Sequence, residues 1–224
     1  MNEHFSKKVR HALASPPGID GLERWFHAAV FLPLIAYETD SWQLLFEKRT
    51  AAIRQGGEIC FPGGQVDPQD TSPCSGALRE TFEELGIVVP AENVWGELDT
   101  LLISSGTRIS AFVGEIPEKD LANLVPEPAE VAEVFTLPLA YFIENPPTRY
   151  LCPILIHPYR EDPDTHEKTW YLPADKLELP LHYHEPWGNA FEEIYVFESQ
   201  YGPIWGLTAK LIIQLLRKLD LVDF

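Results

Sequence analysis

Three glutamates within one short segment, Arg79–Ile87 (RETFEELGI), are the residues whose spacing first suggests chemistry. At about 100° per residue on a helix, Glu80, Glu83 and Glu84 lie on one face. The opposite face would carry an apolar stripe formed by Leu78, Phe82 and Leu85. Clustered carboxylates repel one another, and they are the hard oxygen ligands that Mg²⁺ or Mn²⁺ prefers. The alternative is a solvated acidic face, which is common on an acidic protein.

A glycine-containing turn precedes this segment. Residues 61–64 (FPGG) end a short predicted strand, and a loop with Asp67 and Asp70 follows. Glycine lets the backbone come close to a ligand, although the same pair of glycines can also form a simple tight turn. The turn and the glutamates together therefore suggest a binding site more strongly than either does alone.

Local signals mark both ends of the helix that must carry the glutamates. Ser72 can cap its start, Pro73 suits the first helical position, and Gly86 is a natural stop. The sequence therefore predicts a helix over residues 73–85.

Strand patterns dominate the rest of the chain. Apolar runs predict strands that include His27–Tyr37, Trp42–Glu47, Ile109–Glu115 and Glu130–Phe135. A second helix is predicted at Leu207–Leu219, where leucine recurs every four residues. Tyr150–His157 and Trp170–Leu172 are expected to pair as strands. Because strands and helices do not alternate, the predicted fold class is α+β, with a mixed sheet packed between helices.

The whole chain has 224 residues, which suggests one large domain or one domain with an extension. Its 17 Lys and Arg against 34 Asp and Glu give a net charge of −17. Such acidity argues against nucleic acid and against an anionic membrane as partners, and a small phosphorylated substrate would need local cations. No signal-peptide core opens the sequence and no apolar run is long enough to span a bilayer, so we predict a cytoplasmic protein. The three cysteines, Cys60, Cys74 and Cys152, are expected to be reduced.

The segment Arg79–Ile87 resembles the second half of the Nudix box, G-x5-E-x7-R-E-U-x-E-E-x-G-U, with Thr81 at a position that is apolar in the pattern. The first half departs from the pattern. The spacing from Gly64 to Arg79 is one residue longer, and Asp70 stands where Glu is usual. This insertion with Asp is similar to the coenzyme A diphosphatase branch of the Nudix hydrolases.

Two further stretches resemble that branch. Residues 44–64 (LLFEKRTAAIRQGGEICFPGG) are similar to its signature L-L-T-x-R-[SA]-x3-R-x3-G-x3-F-P-G-G. They depart from it at Phe46–Lys48, at Thr50 and in the spacing from Arg54 to Gly57, which is one residue short. Residues 204–209 (IWGLTA) resemble the opening of the family's last helix, and residues 130–135 (EVAEVF) resemble one of its strands.

The resemblance implies a Nudix fold, an α/β/α sandwich, over residues 1–224 as a single domain. Residues 1–25 would be an N-terminal extension, residues 64–87 the box, and residues 200–220 the C-terminal helix. It also implies Mg²⁺- or Mn²⁺-dependent hydrolysis of a small nucleotide substrate, with coenzyme A or acyl-CoA yielding 3′,5′-ADP and 4′-phosphopantetheine or its acyl form. Alternatives are ADP-ribose, NADH or another dinucleotide as substrate, or a non-catalytic Nudix ligand sensor. A homodimer is possible by the same resemblance.

The box suggests a role for each of its charged residues. Glu80 and Glu84 are expected to ligate the metal directly, and Glu83 either ligates it or holds a metal-bound water. The resemblance adds the carbonyl of Gly64 as a further ligand. Arg79 is expected to position the glutamates rather than to contact substrate.

Residues outside the box are weaker candidates. The resemblance suggests Glu130 or Glu133 as a general base, and charge on an edge strand is the alternative. Arg49 and Arg54 could bind substrate phosphates or form surface salt bridges. The stretch 157–190 matches no motif. Its His182 and His184 have metal-like spacing without an evident third ligand, and its aromatic side chains could stack on adenine or serve packing: Trp170, Tyr183 and Trp187.

Overall fold

The computed structural model describes residues 7–8, 10–11, 18–37 and 41–223. From residue 18 onward, the described chain contains three α-helices: α1 (Pro73–Leu85), α2 (Leu139–Glu144) and α3 (Gly206–Lys218). Its strands are β1 (Phe26–Tyr37), β2 (Ser41–Arg49), β3 (Ile59–Cys60), β4 (Gly63–Gln65), β5 (Val94–Glu97), β6 (Leu101–Ile103), β7 (Thr107–Glu115), β8 (Val131–Pro138), β9 (Thr148–Ile156), β10 (Tyr159–Glu161), β11 (Lys168–Trp170), β12 (Trp187–Phe197) and β13 (Ile204–Trp205). Of the predicted extension over residues 1–25, residues 1–6, 9 and 12–17 lie outside the described ranges.

The main sheet is mixed, as predicted. Its strand order is β3-β2-β1-β7-β5, and β4, β6 and β8 pair with β1, β7 and β2 respectively. The pairing of β1 with β7 is parallel, whereas the other strand pairs of this sheet are antiparallel. The central strand β1 therefore has partners on both edges, and it lies between the layers that cover the two sheet faces.

Successive residues of β1 point to opposite faces, and each face has its own hydrophobic cluster. Phe31 and Ile35 pack in the cluster that includes Leu85 of α1. Leu32 packs in the other cluster, which includes Ile212 of α3. The helices thus cover opposite faces of the sheet, and the predicted α/β/α sandwich is confirmed.

The C-terminal strands form a second sheet with the order β13-β12-β9. β9 pairs with β12, where Tyr150 lies opposite Ile194. The predicted pairing of Tyr150–His157 with Trp170–Leu172 is therefore wrong. The strand β11 pairs instead with β10, across a short loop from residue 161 to residue 168.

None of the helices in the described ranges combines the length and the apolar character that crossing a bilayer requires.

Candidate active site

The helix α1 begins and ends where the sequence signals place its ends. The Ser72 hydroxyl accepts a hydrogen bond from the Ser75 nitrogen at 3.1 Å, and the Ser72 nitrogen donates to the Ser75 hydroxyl at 3.0 Å. Gly86 has a left-handed φ of 69°, and its nitrogen donates to the Phe82 carbonyl. These caps satisfy backbone groups that a helix end leaves unpaired. They fix where the helix begins and ends, and so where the glutamates lie on it.

The face of α1 that packs on the sheet differs from the predicted one. Thr81 and Leu85 are fully buried, and Phe82, which the predicted apolar stripe contains, is 50% exposed. The Thr81 hydroxyl donates to the Ala77 carbonyl at 2.7 Å, so a polar residue is satisfied at an otherwise apolar position. The buried face is thus turned toward Glu84, and the prediction that all three glutamates lie opposite the buried side is wrong for Glu84.

Glu84 is held between the turn and the sheet. It is 2% exposed, and its Oε2 accepts a hydrogen bond from the Gly63 nitrogen at 2.8 Å. Arg49 Nη1 lies 3.5 Å from its Oε1. Burial, together with repulsion from Glu47, raises the pKa of Glu84 above its ordinary value.

Glu47 is a buried carboxylate that lies outside the box and is not among the predicted site residues. It is 1% exposed on β2, its Oε1 accepts a hydrogen bond from the Cys60 thiol at 3.3 Å, and Arg49 Nη1 lies 3.9 Å from the same oxygen. Burial raises the pKa of Glu47. A charged residue that directly follows the apolar run Leu44–Phe46 was the available signal.

Arg79 connects the loop before α1 with two glutamates on the helix. Its Nε and Nη2 donate to the Asp70 carboxylate at 3.1 and 3.2 Å, and its Nη2 donates to the Gln65 carbonyl at 3.0 Å. Its Nη1 donates to Glu80 at 2.9 Å and to Glu83 at 2.8 Å. The Arg79 guanidinium lowers the pKa of Asp70. These contacts are those of a residue that positions carboxylates.

Gly64 comes into close contact with Glu80. A Cβ atom at Gly64 would lie 2.4 Å from the Glu80 carboxyl carbon, so the turn accepts no larger side chain without displacing that carboxylate. Gly64 pairs with Ala29 in the ladder between β4 and β1. The glycine thus brings the turn against the helix glutamates, and its carbonyl as a ligand stays a prediction.

The remaining charged candidates surround this cluster at different depths. Glu130 is exposed, its carbonyl accepts from the Thr50 nitrogen at 2.8 Å, and its negative charge raises the pKa of Glu47 and of Glu80. Glu133 is exposed and lies opposite Lys48 in the ladder between β8 and β2.

The two arginine candidates differ in what their side chains contact. Arg49 Nη1 is shared between Glu84 and Glu47. The Arg54 side chain is exposed, and its carbonyl accepts a hydrogen bond from Arg49 Nε at 3.4 Å. The guanidinium of Arg49 therefore neutralises buried carboxylates, whereas that of Arg54 is open to solvent.

The histidines and aromatic residues named for the stretch 157–190 make their contacts within that stretch. The His182 ring lies 3.8 Å from the Tyr183 ring, Tyr183 packs edge-on against Trp187 at 5.1 Å, and Trp170 packs against Tyr159 at 4.9 Å. His184 Nε2 lies 3.2 Å from the Leu179 carbonyl oxygen. These contacts favour packing over an adenine platform or a metal pair for these residues.

The donor set of the carboxylate cluster fits a hard divalent cation. Glu47, Glu80 and Glu84 supply carboxylate oxygens, and Glu47 Oε2 is buried without a hydrogen-bond partner in the described structure. Within the described ranges, no three His, Cys, Asp or Glu side chains converge as a finished cage. Arg79 and Arg49 pair with Glu80 and Glu84 in this state, so a cation would have to take oxygens that the guanidinium groups now contact.

Comparisons with known proteins agree with the motif and with the fold. The model of the NUDIX domain matches residues 23–151. The human mitochondrial coenzyme A diphosphatase NUDT8 is 35% identical over 147 residues, which cover 59% of this chain and 62% of that protein. The Nudix hydrolase NudL of Photorhabdus laumondii is 31% identical over 195 residues, which cover 87% of this chain and 85% of that protein.

A third relative, Nudix hydrolase 3 of Caenorhabditis elegans, is 31% identical over 198 residues, which cover 86% of this chain and 72% of that protein. The chain spans less than two thirds of the human relative, but it covers most of the other two. With Glu80 and Glu84 of the box lying against the glycine turn and the domain match extending over more than half of its length, this chain belongs to the Nudix hydrolase family.

Proposed function

We propose that this enzyme hydrolyses the diphosphate of coenzyme A or of an acyl-CoA, releasing 3′,5′-ADP and 4′-phosphopantetheine or its acyl form. The observation that carries the proposal is the gathering of Glu80, Glu84 and Glu47 against the turn at Gly63 and Gly64. The similarity to a protein named as a coenzyme A diphosphatase supports this choice of substrate.

The proposal includes Mg²⁺ or Mn²⁺ as the cofactor. Glu80 and Glu84 would hold the cation, with Glu83 as a further ligand or as the group that holds a bound water, and with the Gly64 carbonyl beside them. When bound, such a cation neutralises the diphosphate and lowers the pKa of water. It also explains how a chain with a net charge of −17 can act on an anionic substrate.

The other residues of the site are proposed to act on position, charge and protons. Arg79 holds Glu80 and Glu83 through its contacts with Asp70 and Gln65. Glu130, exposed beside the cluster, would take a proton from the attacking water as the water oxygen bonds to one phosphorus. The bridging P–O bond to that phosphorus breaks, and the departing phosphate keeps the electron pair.

We also propose that the chain acts as one catalytic domain. The family match ends at residue 151, yet the strands and the helix that follow complete the same core. Phe197, Ile204 and Ile212 pack in one cluster with Leu32 of β1. The Thr208 hydroxyl donates to the Ile59 carbonyl at 3.0 Å, which ties the start of α3 to the strand that leads into the glycine turn.

Mass spectrometry of products from a substrate panel tests the proposed function. Purified enzyme with Mg²⁺ is given coenzyme A, an acyl-CoA, NADH, ADP-ribose and diadenosine polyphosphates. We expect 3′,5′-ADP and the phosphopantetheine product from the first two. Cleavage of ADP-ribose or NADH with coenzyme A left intact would identify another dinucleotide as the substrate. No cleavage of any compound would favour a ligand sensor.

Three variants in the same assay connect the activity to the site. Glu84→Gln removes the charge of the buried ligand, and we expect a loss of about 10²-fold or more in kcat. Glu144→Gln, the same change at an exposed position of α2, is the matched control. Arg54→Ala should raise KM if its exposed guanidinium binds substrate phosphate. Unchanged turnover in Glu84→Gln at saturating Mg²⁺, or unchanged KM in Arg54→Ala, would remove that residue from its role.

A further inference from the structure

Glu47 approaches the glycine turn from the sheet, on the sheet face that α1 covers, where Leu45 of the same strand packs in the cluster with Leu85. It lies across from Cys60 in the ladder between β2 and β3, and β3 leads directly into residues 61–64. Gly63, within that turn, donates its N–H to Glu84. A buried carboxylate from the helix and a buried carboxylate from a strand therefore lie next to each other beside one short turn.

Acidic groups outnumber basic groups around this pair. Arg49 Nη1 is 3.5 Å from Glu84 Oε1 and 3.9 Å from Glu47 Oε1, so a single guanidinium faces two carboxylates. Glu130 adds a third negative charge that acts on Glu47. Buried carboxylates are costly unless they are paired or bind a metal, and a divalent cation would offset the excess.

The two oxygens of Glu47 have different surroundings. Its Oε1 accepts a hydrogen bond from the Cys60 thiol, whereas Oε2 is buried and has no hydrogen-bond partner among the described residues. By contrast, Glu80 is held by Arg79, and Glu84 by Gly63 and Arg49. Glu47 Oε2 can therefore bind a cation without displacing an arginine or a backbone N–H, and the proton that Glu47 shares with Glu84 would leave.

The strand pairing of β2 does not require this side chain. The backbone of Glu47 pairs with Cys60 on one edge and with Val134 on the other, and these ladders need no carboxylate. A buried oxygen left unsatisfied destabilises the folded state by about 1–3 kcal/mol, and more when it carries charge. An apolar residue would complete the strand at a lower cost, so the carboxylate points to a ligand.

We propose that Glu47 is a further ligand of the divalent cation, binding through Oε2 from the sheet side while the glutamates of α1 bind from the helix side. The inference rests on the proposed function only in placing a divalent cation at the box. It adds to the helix glutamates a carboxylate held rigidly on a strand.

Binding of Mn²⁺ to the metal-free enzyme tests this assignment without any substrate. The electron paramagnetic resonance signal of free Mn²⁺ is titrated with wild-type protein, with Glu47→Gln and with Glu144→Gln. We expect Glu47→Gln to raise the Kd for Mn²⁺ by about 10-fold or more, a size typical of losing a group that supports a metal site. Glu144→Gln should bind as the wild type does, because its side chain is exposed on α2.

The glutamine variant also tests the alternative that Glu47 is a neutral packing partner. Gln resembles a protonated glutamate, so a Glu47 that served only as a neutral packing partner would be replaced with no change in the Kd for Mn²⁺, and that result overturns the proposal. If Glu47→Gln does not fold, as judged by circular dichroism, Glu47→Asp is the deciding variant. It keeps the charge but shortens the reach, so a raised Kd supports the proposal and an unchanged Kd overturns it.

This experiment and the substrate panel fail independently. A Kd that depends on Glu47 in an enzyme that leaves coenzyme A intact would uphold the ligand and reject the substrate. If the enzyme releases 3′,5′-ADP from coenzyme A and its Kd for Mn²⁺ does not depend on Glu47, the substrate would be upheld and the ligand rejected.

Discussion

Glu83 and Glu84 are neighbours in the chain, yet the Glu83 side chain is 54% exposed whereas the Glu84 side chain is 3% exposed beside Gly63. The same residue type therefore has two environments within one helical turn. Glu83 contacts Arg79 at the surface, and Glu84 carries its carboxyl group into the space between α1 and the sheet. Position relative to the sheet, more than residue type, separates their chemistry.

The raised pKa of Glu84 predicts a pH dependence of stability in the metal-free enzyme. The unfolded carboxyl ionises near its ordinary pKa of about 4.3, and in the folded state burial keeps it protonated to higher pH. The stability that this group contributes is therefore fully present below the unfolded pKa and is lost as pH rises through the folded pKa. Glu84→Gln, which cannot ionise, should gain in Tm relative to wild type as pH rises from about 5 to 9.

Thermal unfolding in the presence of a chelator measures this difference. Each kcal/mol gained in the free energy of unfolding should raise Tm by about 2–4 °C. Glu144→Gln is the matched control, because it makes the same change at an exposed position of α2, outside the carboxylate cluster. A Glu84→Gln variant that becomes less stable than wild type at high pH would show that the ion pair with Arg49 outweighs burial.

At the scale of elements, α1 shows which features a sequence can specify. Its bounds follow from Ser72, Pro73 and Gly86, and the structure places the helix at Pro73–Leu85 as predicted. Its buried face does not follow from apolar residues alone. The sheet covers Thr81 and Glu84, two polar residues satisfied by partners that include a carbonyl within the helix and a glycine 21 positions away.

A pair of truncations tests which face of α1 supports the fold. Leu85→Ala, at a fully buried position, should lower the free energy of unfolding by about 2–5 kcal/mol. Phe82→Ala, at a half-exposed position, should cost less than about 1 kcal/mol although it removes more atoms. Urea unfolding measures both changes. Equal losses, or a larger loss at Phe82, would show that Phe82 belongs to the buried face of α1, as the predicted apolar stripe requires.

Local sequence patterns predict neither the strand pairing nor the buried carboxylate on β2, for one physical reason. Local patterns reveal that Tyr150–His157 is extended, but its partner lies more than 30 residues away, at Trp187–Phe197. Similarly, Glu47 is charged and follows an apolar run, and only the assembled sheet and helix show that it lies beside Glu84. Both features depend on contacts between segments that are distant in the chain.

At the scale of the whole molecule, the net charge of −17 acts on the approach of any anionic substrate. Repulsion between like charges slows their encounter, and added salt screens it. At saturating Mg²⁺, we expect kcat/KM for coenzyme A to rise as added KCl brings the ionic strength to about 150 mM, where the screening length is about 8 Å.

Steady-state kinetics over that salt range measure the effect, and a potassium salt of another anion shows whether chloride itself matters. A fall in kcat/KM would mean that local guanidinium groups such as Arg54, rather than the overall charge, govern the approach of the substrate.

The contacts of Arg79 have a consequence for the thermodynamics of cation binding. Because Asp70 and the Gln65 carbonyl anchor its guanidinium, Glu80 and Glu83 are already ordered in the free enzyme. Immobilising a glutamate side chain loses about 1.5–2 kcal/mol of rotamer entropy, and here that loss occurs when the chain folds rather than when the ion arrives. Arg79 competes with the cation for the same oxygens and also preorganises them, so the arginine that opposes the ion electrostatically favours it entropically.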